Sequence, residues 1–84
     1  MKTIALDAHS ANCSFAIFSE NGQLAQRREC PTSAQNLIEV IESVRGRRCL
    51  IVEESHMAAW VKRTVERFVD RVIICDPVEN SWIA

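Results

Sequence analysis

The sequence predicts an α/β fold: a mixed sheet laid down in the order β-β-β-α-β-α-β. Three observations predict it. Short apolar runs bounded by charged or turn-forming residues recur along the chain, as buried strands require. Two segments between them carry their apolar residues at helical spacing instead. An Asn21-Gly22 pair sits between the second and third runs, where both residues tolerate the positive φ that a tight hairpin turn demands.

Taken in order, Thr3–Leu6 is a short apolar run that ends in Asp7, a buried first strand. Cys13–Phe18 (CSFAIF) reads as apolar on both faces and so as a central second strand. After the Asn-Gly turn, Leu24–Cys30 carries Arg27, Arg28 and Glu29 and suits an exposed edge. Pro31 stops it. Thr32 with Gln35 three residues on forms a capping box, and Leu37, Ile38, Ile41 and Val44 line one helical face. Gly46 is then the expected C-terminal cap.

Cys49–Val52, a four-residue apolar run bounded by charge, is the next strand, buried and parallel. Ser55 can cap a second helix with Met57, Trp60, Val61, Thr64, Val65 and Phe68 on its apolar side, Trp60 in the core and His56 on the surface. Val72–Cys75 is a last buried strand, closed by Asp76-Pro77 because the residue before proline is pushed out of the α region. A three-strand meander followed by right-handed crossovers is how RNase H-like domains begin. Each half of the actin-like sugar-kinase ATPases begins the same way, so topology alone leaves both open.

Composition narrows the class. The chain has 84 residues, 48% hydrophobic and 25% charged, ordinary for a globular domain and far from the disordered regime. Domains commonly run to about 100–150 residues, so the expectation is one domain over residues 1–84, cut short after its fifth strand. No apolar run reaches the roughly 18–20 residues of a membrane span, and the first run meets Asp7 too soon for a signal peptide. Cys13, Cys30, Cys49 and Cys75 form no C-x-x-C pair and, with His9 and His56, match no zinc spacing. Free thiols and a cytoplasmic location are the expectation.

Net charge is −1, which does not by itself point to nucleic acid. Between Ala25 and Arg71, however, nine Lys/Arg stand against seven Asp/Glu, with Arg27-Arg28, Arg45/Arg47/Arg48 and Lys62-Arg63 as clusters. They read either as a phosphate-facing surface or as solvated helix faces and loop ends.

The chemistry sits at two strand tips. Asp7 follows the first strand and Glu53 the fourth, and in an RNase H-like sheet these strands are neighbours. Two carboxylates brought so close repel, and a divalent cation is the usual resolution. Mg²⁺ or Mn²⁺ held there can activate water and stabilise the leaving oxygen of a phosphodiester. Taken singly, Asp7 is a turn residue and Glu53-Glu54 are acids opening a helix, where the dipole favours them; only as a pair do Asp7 and Glu53 read as metal-binding and catalytic. Glu54 points to the other side and is solvated. Asp76 is a third acid or an ordinary turn start, and His9 and Ser10 approach a phosphate or form the loop after Asp7. Trp60 and Trp82 are not spaced as a base-stacking platform.

Three segments resemble one family. IALDAHSANCSFAIF is similar to the hydrophobic-Asp-x-(His/Ser) opening of DEDD-type insertion-sequence transposases, the group that includes the pilin-gene invertase. CLIVEESHMAAWV resembles their second motif, an apolar strand ending in Glu before a helix with an aromatic. VIICDPVENSWIA resembles their Asp-Pro-x-x-Asn segment, departing from it at Val78 and Glu79, where Arg is common. The matches fall in the family's order and cover nearly the whole chain.

The resemblance implies a RuvC-like nuclease domain with a Mg²⁺-binding carboxylate set, in which Asp7 is the first acid and Glu53 the second. It implies two further Asp downstream, a C-terminal domain with a serine, DNA as substrate and, in some members, a guide RNA. On this reading the chain is the N-terminal fragment of a transposase nuclease domain, inactive alone. Two rival readings differ in class. One is a non-catalytic RNase H-like interaction module that covers its bare sheet by forming a homo-oligomer. The other is an actin-like ATPase fragment, which needs a glycine-rich phosphate loop that His9-Ser10-Ala11-Asn12 does not supply.

Overall fold

The computed structural model describes residues 1–76, and within them the elements run β1 (Lys2–Ala8), β2 (Asn12–Phe18), β3 (Leu24–Pro31), α1 (Ala34–Glu42), β4 (Arg48–Glu53), α2 (Ala58–Val65), a 3₁₀ turn (Glu66–Phe68) and β5 (Arg71–Cys75). Pro77, Asn80 and Trp82 lie outside the described residues. The expected element order holds throughout. The strands form one mixed sheet in the order β3-β2-β1-β4-β5. β1, β2 and β3 pair antiparallel, whereas β4 runs parallel to β1 and β5 parallel to β4.

Alternation along the strands decides where the core lies. Ile4 and Leu6 of β1, Cys13, Phe15 and Ile17 of β2, and Leu50 and Val52 of β4 all point to one face. There they meet Leu37, Val40, Ile41 and Val44 from α1 and its C-terminal turn, together with Val61 and Val65 of α2. Both helices therefore cover the same side of the sheet. Burying each such aliphatic side chain contributes roughly 1.5–3 kcal/mol, upper figures for a small domain. Among the described residues no helix lies over the opposite face, which presents Ala16, Ile51 and Ile73, each half-buried.

That one-sided cover corrects two expectations. β2 is not apolar on both faces in use: Cys13, Phe15 and Ile17 are buried, but Ser14 is exposed and Ala16 and Phe18 are only half-buried. β5 is an edge rather than a buried strand, with Ile74 37% exposed. Ile74 points to the helical side, yet its groove with α2 is lined by the small Ala58 and Ala59, which leave it wet. Trp60 likewise packs against the core without being fully inside it.

The helix ends also differ from the expected caps. Ser33, not Thr32, caps α1, its hydroxyl accepting from the Asn36 N–H at 3.0 Å. Gln35 instead donates to Glu39 along the helix at 3.3 Å. β3 continues through Pro31 because an edge strand tolerates a residue with no N–H. Ser55 accepts from the Met57 N–H at 3.2 Å but sits in the turn ahead of α2, whose N-cap is Met57.

Gly46 does not cap α1, which closes at Ser43. The glycine turns the following loop at φ +86°, and the C-terminal carbonyls are satisfied from elsewhere. Arg48 Nη1 donates to the Ile41 carbonyl at 2.7 Å and the Val44 carbonyl at 3.0 Å. Its guanidinium also places positive charge at the negative end of the helix dipole. At the same residue the backbone N–H donates to Asp70 Oδ2 at 2.7 Å. One arginine thus ties α1 to the start of β4, and it stands half-buried rather than joining an exposed basic cluster. Arg48→Met is expected to destabilise by about 1–3 kcal/mol, the cost of leaving hydrogen-bonding groups unpaired, with Arg48→Lys recovering part. Urea unfolding of the three proteins measures this, and an unchanged midpoint in the methionine variant would refute the capping role.

Candidate metal-binding strand tips

Asp7 and Glu53 end up as neighbours. Parallel register pairs Ile4 with Leu50, Ala5 with Ile51 and Leu6 with Val52, so Asp7 and Glu53 occupy the next positions along the two strands. Adjacent strands lie about 4.8 Å apart. Since Leu6 and Val52 face the helices, both carboxylates project from the other face, at the carboxyl end of the parallel strands. Register extends the row sideways: Ser14 pairs with Asp7 on β2, Glu29 with Ser14 on β3, and Cys75 with Glu53 on β5.

Neither carboxylate is buried. With no helix above them among the described residues, water reaches both. Asp7 has one close partner, His9, whose Nε2 lies 3.1 Å from Asp7 Oδ1, both side chains being well exposed. Among the described residues no set of three His, Cys, Asp or Glu converges as a metal site. Two hard oxygen donors fit Mg²⁺ or Mn²⁺, cations that commonly bind through one or two carboxylates and keep several waters or take substrate phosphates.

Other singled-out residues are dispersed. Glu54 is exposed and turns toward α2, its backbone N–H donating to the Cys75 carbonyl at 2.8 Å. Asp76 is exposed just beyond β5, and His56 is exposed before α2. Arg45 and Arg47 lie at the amino end of β4, the opposite end of the sheet from Asp7 and Glu53, and Arg47 faces Asp70 at 3.8 Å. Arg27 and Arg28 are exposed on the β3 edge.

Sequence reasoning missed the groups that hold the loop after Asp7. Thr32, read as a helix cap, reaches back across the sheet end: its hydroxyl donates to the His9 carbonyl at 2.6 Å and its N–H to the Ala11 carbonyl at 3.0 Å. Cys13 Sγ lies 3.1 Å from Thr32 Oγ1. The hydroxyl has a single proton, directed at His9, so the buried thiol is the donor of that second contact. No local pattern signals such a contact between residues 23 apart.

Comparison with known proteins shows the fold. No protein-family profile matches the chain, and no curated protein matches it. Among solved structures, the chain is similar to LC11-RNase H1 in complex with an RNA/DNA hybrid (TM-score 0.54, 10% identity, 98% of this chain and 90% of that one). The chain has an RNase H-like fold. It is also similar to the Aquifex aeolicus member of the Ppx/GppA family (TM-score 0.53, 16% identity, 95% of this chain). The Lmo2764 protein of Listeria monocytogenes is a further likeness (TM-score 0.52, 14% identity, 90% of this chain). The chain spans 36% and 35% of the length of those two structures. Among the described residues no helix is long and apolar enough to cross a membrane.

All four cysteines are free. Cys49, buried beside Arg71 on the uncovered face, has its thiol pKa raised above the ordinary 9.0 by burial, with Arg71 opposing and Cys75 reinforcing the shift. Burial raises Cys30 too, aided by Cys13 and opposed by Arg28. A thiol held neutral stabilises the fold fully below the unfolded thiol's pKa, and this contribution is lost as pH rises through the raised folded value. Stability is therefore expected to fall on the alkaline side, above about pH 8.5–9, and Cys49→Ala to flatten part of that fall. Denaturant midpoints followed across the alkaline range measure it; an identical slope in the alanine variant would refute the assignment.

Proposed function

We propose that the chain is the leading part of an RNase H-like nuclease domain of a DEDD-type transposase, in which Asp7 and Glu53 hold Mg²⁺ or Mn²⁺ for phosphodiester chemistry on DNA. The observation that carries this reading is the parallel β1–β4 register, which brings both acids to one face at the carboxyl ends of adjacent strands. The motif segments around Asp7 and Glu53 and the likeness to an RNase H1 that engages an RNA/DNA hybrid support the same chemistry. When bound, the cation supplies a water made acidic enough to attack and a positive charge for the leaving oxygen. Asp7 and Glu53 present the oxygen donors, and the sheet keeps their separation constant. Further acids, target recognition and any guide RNA belong to downstream parts of the longer protein, where an Asp-x-x-Asp pair is expected. The actin-like ATPase reading is carried less far, because the first loop lacks the glycines that let a backbone wrap phosphate.

A second reading is favoured by the bare sheet face: the chain is a non-catalytic module that pairs with a second copy there. Under the first reading, titration with Mn²⁺ broadens the NMR signals of Asp7 and Glu53 at millimolar metal, and Asp7→Asn or Glu53→Gln removes the effect at both positions. Signals unmoved at that concentration would overturn the metal site. Under the second, light scattering gives a dimer mass that Ile51→Lys restores to monomer. A monomer at all concentrations sinks that alternative.

A further inference from the structure

We propose that Thr32 is a positioning residue for the strand-tip site: it fixes the β1–β2 loop so that His9 is held against Asp7. Asp7 sits on regular β1, but His9 lies in the irregular stretch between β1 and β2, where nothing in the strand ladder dictates where its imidazole goes. Two backbone carbonyls of that stretch, those of His9 and Ala11, are both taken by Thr32, through its hydroxyl at 2.6 Å and its N–H at 3.0 Å. The His9 N–H closes the loop onto the Asn12 carbonyl at 3.1 Å. Loop residues 9 and 11 are therefore clamped to the chain that leads from β3 into α1.

Thr32 is itself well anchored. Pro31 before it pairs with Asn12 in the sheet, and Ser33 after it caps α1. Asn36 Nδ2 of α1 also donates to the Pro31 carbonyl at 2.9 Å. The buried Cys13 thiol donates to the Thr32 hydroxyl at 3.1 Å, orienting its proton toward His9 and polarising that bond. The chain of donors runs Cys13 to Thr32 to the His9 carbonyl, and the side chain of that same His9 reaches Asp7 Oδ1 at 3.1 Å. An exposed pair such as His9–Asp7 persists weakly when both partners are free to rotate. Clamping the histidine backbone removes much of that freedom, and with one Asp7 oxygen engaged the other is left for a ligand. Outer partners of this kind orient ligand groups and typically alter metal affinity by about 10–100-fold.

The clamp follows from geometry alone, whereas its effect on metal rests on the proposed function above, and the experiment separates the two. In the full chain, the nitrogen shifts of the His9 imidazole report whether Nε2 is engaged by Asp7. Thr32→Val, which removes the hydroxyl at nearly constant volume, is expected to move them toward those of a free imidazole while the sheet signals stay native. Thr32→Ser, which keeps the hydroxyl, is expected to restore them. If the valine variant loses the native sheet, the Thr32 hydroxyl proton of the wild type decides: slow exchange with a cross-peak to His9 supports the clamp, and exchange at the solvent rate overturns it. Unchanged His9 shifts in a folded valine variant also overturn it. With Mn²⁺ as the probe, the valine variant is expected to bind about tenfold more weakly. Absence of Mn²⁺ binding in the wild type refutes the metal reading and leaves the imidazole shifts to judge the clamp.

Discussion

Parallel pairing of β1 with β4 is the constraint on which the remaining structure depends. The two strands are the centre of the sheet, with β2 and β3 added on one side and β5 on the other. A slip of one residue between them would turn Ile4 and Leu6, or Leu50 and Val52, away from the helices and expose them, because side chains alternate faces along a strand. The apolar core therefore enforces the register. That register in turn brings Asp7 level with Glu53. Packing on one face of the sheet thus sets the spacing of the charged groups on the other.

Much of this was legible in the sequence because the signals are local. Short apolar runs, an Asn-Gly turn and helical spacing each report on a few consecutive residues, and every element appeared where they indicated. A turn forms where Asn21-Gly22 announced one, but only Gly22 takes a positive φ, +83°, because the connection from β2 to β3 is longer than a two-residue turn. The adjacency of Asp7 and Glu53 also followed, since each acid directly follows the apolar run of a strand and the RNase H-like order sets those two strands side by side. Tertiary choices were less visible. CSFAIF could not reveal that one of its faces would be left uncovered, and Thr32 and Ser33 are equally good caps until the chain direction after Pro31 is known. Gly46 resembled a cap because nothing in sequence announced that Arg48 would satisfy the end of α1 from outside the helix. The clamp on His9 joins residues 23 apart, beyond any periodic signal.

The two ends of the sheet have different characters. At the amino ends of the parallel strands, Arg48 and Asp70 interlock backbone and side chain, Arg47 adds a longer ion pair, and the role is structural. At the carboxyl ends, Asp7, Glu53 and His9 are open to water, and Thr32, on the chain entering α1, holds the loop that carries His9. Charge is best tolerated where water can reach, and ligand-binding groups of mixed α/β sheets gather at that end. The fold leaves Asp7 and Glu53 open to water there, Asp7 engaged by His9, and interlocks Arg48 with Asp70 at the other end.

The long reach between β1 and β4 also has a kinetic side. Thr3 must wait for Cys49 before its parallel ladder can begin, and the intervening chain must first close a large loop, an entropic cost met before any contact rewards it. The β1–β2–β3 meander, joined by short connections, can assemble earlier. Until β4 arrives, that meander carries β1 as an open edge, with its hydrogen-bonding groups exposed. A growing polypeptide would hold this unpaired edge through the synthesis of α1, the interval in which a stray strand from another chain competes most directly for it.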